Sequence, residues 1–130
     1  MLLGWGRAIL LQLAHPLVGA GVYEHSAFRP STRIATRRLH ATIHAMLSLT
    51  FGTDAERDAA LTAIRTIHQR VHGHLTTPVG PFAAGTHYSA EDPALVLWVH
   101  LTLLESVPLA YERFVTPLSS DERDLYCAEA

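Results

Sequence analysis

The chain has 130 residues, 48% of them hydrophobic and 17% charged, so it has length and apolar content for one folded domain with a modest core and does not read as disordered. Its formal net charge is −2 with His neutral, and all ten basic residues are arginine, which excludes a lysine base, a lysine Schiff base and any general bias toward nucleic acid. Cys127 is the only cysteine, so neither an internal disulfide nor a cysteine-based zinc site can form; this fits a reducing, cytoplasmic setting.

Trp5 to about Val22 reads as one helix, apolar nearly all round, kinked or broken at Pro16. Val18-Gly19-Ala20 resembles a signal-peptidase site. The apolar stretch is nonetheless shorter than the roughly 20 residues of a spanning helix and is interrupted by His15-Pro16, which favours a buried core helix and no transmembrane span there. Glu24 to Pro30 is a connector. Pro30 lies near the start of a second helix, Ser31 and Thr32 are its cap candidates, and Gly52 ends it after Phe51. Thr53 and Glu56 have the spacing of a capping box and open a third helix, to about Val71 or His72, with Gly73 as stop. Residues 76–90, with Pro78, Gly80, Pro81 and Gly85, read as a long loop. Asp92-Pro93 begins a fourth helix to about Phe114, apolar on both faces and therefore expected to be central. Ser119-Ser120-Asp121-Glu122 caps a short fifth helix. No stretch alternates with a strand period, so the expected class is all-α with about five helices.

The nine histidines are unevenly placed. His40 and His44 lie one helical turn apart, and so do His68 and His72, which makes two pairs on two neighbouring helices. Histidine is the commonest metal ligand, so a haem or metal site is the first chemistry to weigh. On the second helix Arg33, Arg37, His40, His44 and Ser48 form one polar stripe, for which the plain reading is a solvated face. On the third, His68 shares a stripe with Leu61, Ile64 and Val71, and Arg65 and His72 flank it. Such a histidine is most often a core residue satisfied by a hydrogen bond, but an apolar surround is also what a haem ligand needs. There is no HExxH, no Gly-x-Ser-x-Gly and no phosphate-binding glycine loop. A zinc site would have to draw on Glu24, Glu91, Asp92 or Glu105. The basic cluster Arg29, Arg33, Arg37 and Arg38 has no interleaved aromatics.

Several strings, in order, resemble one family: Gly6-Arg7-Ala8-Ile9-Leu10-Leu11-Gln12-Leu13-Ala14-His15-Pro16, Gly21-Val22-Tyr23-Glu24-His25-Ser26-Ala27-Phe28, Arg33-Ile34 with Thr36, Ile67-His68 with Val71 and Gly73, Tyr88 with Ala90 and Asp92-Pro93, Trp98-Val99-His100, and Tyr111-Glu112-Arg113-Phe114. Together they resemble the MpaB/rubber-oxygenase (latex-clearing protein) catalytic domain. The resemblance spans nearly the whole chain and implies a single all-α oxygenase-type domain over residues 1–130, related to a globin-like arrangement, of which this chain looks like the N-terminal part. It implies b-type haem as cofactor, with dioxygen and a small hydrophobic, isoprenoid-like substrate as partners. It further implies His68 as axial ligand of the haem iron, Arg33 and Thr36 as catalytic pocket residues, Arg33 and His72 as cofactor contacts, and His25, His40 and His44 as lesser candidates. The lysine that in some members follows the arginine is replaced here by Thr36-Arg37.

Two other readings stand beside this one. The chain is a non-catalytic helical domain with structural histidines, or it is a non-haem metal protein that uses both histidine pairs. The expectation for the surface is a sizeable exposed apolar area on the first and fourth helices, with either self-association or poor solubility.

Overall fold

The computed structural model describes residues 2–25 and 32–129. Eight elements follow in chain order: α1 (Leu2–Ala14), α2 (Pro16–His25), α3 (Thr32–Phe51), α4 (Asp54–His68), β1 (His72–His74), β2 (His87–Ser89), α5 (Pro93–Phe114) and α6 (Ser120–Glu129). The class is all-α with a small β-hairpin. Ser26 to Phe28, Arg29, Pro30 and the cap candidate Ser31 lie outside the described residues.

Local chemistry sets most helix ends. Pro16 has no N–H to donate, so the expected first helix divides into α1 and α2 at His15. His15 Nδ1 accepts from the Leu17 N–H at 3.3 Å, and its ring lies against Phe82 and Trp98 at 5.7 and 5.8 Å. Thr53 and Glu56 form the expected capping box on α4: the Thr53 N–H donates to Glu56 Oε2 at 2.8 Å, and the Glu56 N–H returns a bond to Thr53 Oγ1. Ser119 and Glu122 repeat the device at α6. Hydrogen bonding to the cap residue holds both carboxyls below the usual carboxylate range. Asp92 Oδ1 accepts from the Ala94 N–H at 2.8 Å, with Pro93 in the first turn of α5.

Packing occurs in two places. The first is the α1–α5 pair. Gly4 and Ala8 are one turn apart on α1 and let the backbones come close: a Cβ on Gly4 would stand 2.8 Å from the Ser106 carbonyl oxygen. Polar bonds line this contact. Arg7 makes a two-pronged ion pair with Glu105 at 3.1 and 3.2 Å and donates to Ser106 Oγ at 2.7 Å; Gln12 donates to Thr102 Oγ1 at 3.1 Å. The second place is a small core of Leu17, Leu75, Tyr88 and Leu95, with Val18, Ala20 and Phe82 against it, where α2, the hairpin and the start of α5 meet.

Three expectations are corrected. The third helix ends at His68, short of Val71, because its last turn tightens: the Arg70 and Val71 N–H groups donate to the Ile67 and His68 carbonyls. His68 and His72 are therefore not a helical pair, since His72 begins β1. The expected loop of residues 76–90 contains β2, which pairs antiparallel with β1 just before the loop, His72, Gly73 and His74 opposite Ser89, Tyr88 and His87. Three-residue strands are too short to show a period of two in sequence. Finally, α5 packs on α1 but is not enclosed: its buried residues are Leu95, Thr102 and Ser106. It is long and apolar enough to cross a membrane by length and composition, though polar groups mark its seam with α1. Leu3, Leu10 and Leu13 of α1 and Val96, Leu97 and Leu101 of α5 are exposed, which gives the apolar surface that composition implied.

Candidate functional site

The first half of α3 carries the largest group of candidate residues. Thr32, Arg33, Ile34, Thr36, Arg37 and His40, exposed apart from half-buried Ile34, border a solvent-open cavity of about 870 Å³. Residues three and four apart share one face of a helix, which brings Arg33, Arg37 and His40 into register along it. The flanking hydrogen bonds are local. The Thr36 hydroxyl donates to the Thr32 carbonyl at 2.9 Å, and its oxygen lone pairs remain to accept. His40 Nδ1 lies 2.9 Å from the Thr36 carbonyl oxygen. A carbonyl only accepts, so Nδ1 carries the hydrogen of that bond. The neutral ring then keeps its lone pair on Nε2. Two guanidiniums, one hydroxyl and one imidazole with a defined tautomer thus share a wall with the Ile34 side chain. That set suits a ligand that is largely apolar and carries carboxylate or other acceptor groups.

The other candidates are distributed along the chain. His44 is exposed further along α3, and its charge helps to hold the Glu56 carboxyl low. His68 is half-buried at the last position of α4, one turn beyond half-buried Ile64; Leu61 on the same stripe is exposed, and Val71 lies past the end of the helix. It is not among the residues lining the α3 cavity. His72 is exposed on β1. His25, exposed at the end of α2, turns its ring edge toward Tyr88 at 6.2 Å. Among the described residues, no group of three or more His, Cys, Asp or Glu is placed to hold a metal ion.

A second polar cluster is not visible in the sequence. Tyr88 is 1% exposed, and its hydroxyl donates to Glu24 Oε2 at 2.6 Å; His25 Nε2 stands 3.3 Å from the Tyr88 hydroxyl oxygen. Burial first, then the hydrogen bond and charge of Glu24, push the phenol up to about 12. The bond clamps the end of α2 to the hairpin. Gly73 makes room for it, since a Cβ there would stand 2.6 Å from the Tyr88 hydroxyl. Glu24 and Tyr88 are 64 residues apart, so no motif spacing could announce the pair.

No curated protein and no solved structure matches this chain. A family model does: the catalytic domain described as ER-bound oxygenase mpaB/B'/rubber oxygenase matches residues 1–130. The match runs through α1, both clusters and α5 without interruption, and the chain belongs to the mpaB/rubber-oxygenase catalytic-domain family.

Proposed function

We propose that the chain acts in a haem-dependent oxygenase whose substrate is hydrophobic and isoprenoid-like. The observation that carries this reading is the match of an oxygenase catalytic domain over residues 1–130. The donor chemistry around the α3 cavity fits the cofactor. Arg33 and Arg37 are permanent cations suited to the cofactor's carboxylates, and Ile34 supplies apolar contact. His68, half-buried at the end of α4 one turn from Ile64, is the residue assigned to hold the iron, and His72 is assigned as a contact beyond it. Bound there, the group supplies the dioxygen chemistry of an oxygenase.

The residues of the chain do the rest. The Arg33 guanidinium orients an oxygen-bearing or anionic group by donating hydrogen bonds, and it stays charged at every physiological pH. Thr36, whose hydrogen is committed to the Thr32 carbonyl, accepts a hydrogen bond at the cavity wall. His40 Nε2 is available to take up a proton beside them.

The test is an absorbance spectrum of protein expressed with excess haem. We expect a Soret band that His68→Ala abolishes and that His74→Ala and His87→Ala retain. Equal haem content in all three variants would overturn the ligand assignment. Loss with His40→Ala alone would move the ligand to α3.

A further inference from the structure

We propose that His74 and His87 form a two-histidine site for a borderline divalent transition-metal ion, such as Zn(II), Ni(II) or Cu(II), on the outer face of the β1–β2 hairpin. The two residues are directly opposite each other in the antiparallel register. Directly opposed side chains start from Cβ atoms about 4.5–5.5 Å apart, close enough to share one ligand. Both are exposed, as is His72 two positions away on the same face. The inner face of the hairpin carries Gly73 and the buried Tyr88, so alternation along the strands turns the imidazoles outward.

The ring geometry matches a chelate. The His74 and His87 centroids are 5.1 Å apart, with the planes inclined at 66°. A zinc–imidazole bond is about 2.0–2.1 Å, and a ring nitrogen lies about 1.1–1.2 Å from its centroid. Two imidazoles at the tetrahedral angle on one ion therefore have centroids about 5.2 Å apart. The observed separation of 5.1 Å is close to that value.

The support beneath the pair is built in. The Leu75 N–H donates to the Thr86 carbonyl at 2.9 Å and the Gly85 N–H to the Leu75 carbonyl at 2.8 Å, which closes the hairpin just beyond the pair. Tyr88 is locked from the other face by Glu24. A rigid base reduces the ordering cost of chelation. Since no third protein ligand is assembled around the pair among the described residues, water fills the remaining positions. The neutral imidazole is the form that ligates the ion. An ion across β1 and β2 binds the folded hairpin and not the extended chain, so it raises the melting temperature.

The experiment titrates Zn(II) into the chelator-treated chain by calorimetry and follows the histidine ring nitrogens by NMR. Wild type, His72→Ala and His40→Ala should each bind one ion at this site with the same affinity, and the shifted ring signals should be those of His74 and His87. His74→Gln and His87→Gln should each lose at least about tenfold in affinity while keeping the melting temperature of the metal-free protein, because both side chains are exposed. Unchanged affinity in those two variants overturns the proposal. So does equal loss in His40→Ala, or no saturable binding up to millimolar Zn(II). Haem content is expected to be independent of His74 and His87, so the Soret test and this test fail separately.

Discussion

The α1–α5 pair and the α3–α4 hairpin are both made of two helices, yet they are held by different means. Across α1 and α5, Gly4 and Ala8 bring backbones into contact, and Arg7, Gln12, Thr102 and Ser106 bond at the seam. In α3 and α4 no described residue is buried. Leu39, Leu47 and Phe51 are exposed, and α4 depends on its capping box and on contact with α3. The first pair, with the Tyr88 core beside it, is the scaffold. The second carries the cavity and most of the candidate chemistry, and few buried contacts mark it as the region that opens first. The candidate side chains of α3 thus lie on the part of the molecule with least packing to lose.

The largest test of this contrast removes the scaffold's most buried ring. Tyr88→Ala should cost about 3–5 kcal/mol by denaturant unfolding, whereas Leu39→Ala on α3 should cost less than about 0.5 kcal/mol. Similar costs would dissolve the distinction. The same residue gives a pH signature. Its phenol is raised from 10 to about 12 in the fold. The folded state therefore holds a proton that the unfolded state has lost, and the stability gained from it is complete below pH 10 and falls as pH rises toward 12. Tyr88→Phe should flatten that decline in a series of melts at alkaline pH.

Gly4→Ala comes next. Its methyl would meet backbone atoms of α5 that cannot rotate away, and a loss of about 1–3 kcal/mol should appear as a lowered melting temperature. A neutral result would mean that the two helices can separate freely. Thr53→Ala is the smallest effect, about 1 kcal/mol. It should reduce amide protection in α4 while leaving α1 and α5 unchanged in hydrogen exchange. Uniform loss across all four helices would show that the hairpin is coupled to the scaffold.

Comparison of expectation and structure follows the range of the interactions. Gly52 and Phe51, the Thr53–Glu56 and Ser119–Glu122 boxes and the Asp92-Pro93 start all lie where sequence placed them, because a cap is made by residues three or four apart. The polar stripe of α3 was equally legible, since helical spacing alone puts Arg33, Arg37 and His40 on one face. The family was legible for a different reason: its strings are spread in order along the whole chain.

By itself, then, the amino-acid sequence determined the all-α class, the helix caps, the lack of any lysine chemistry and the family. Only the tertiary structure decided that His72 leaves the helix for a strand, that His74 and His87 face one another, and that Glu24 reaches Tyr88. It also decided that α5 is covered on one side and bare on others. The physical reason is that these features depend on pairs distant in the chain. A three-residue strand has too few residues for a period and exists only because its partner supplies the hydrogen bonds.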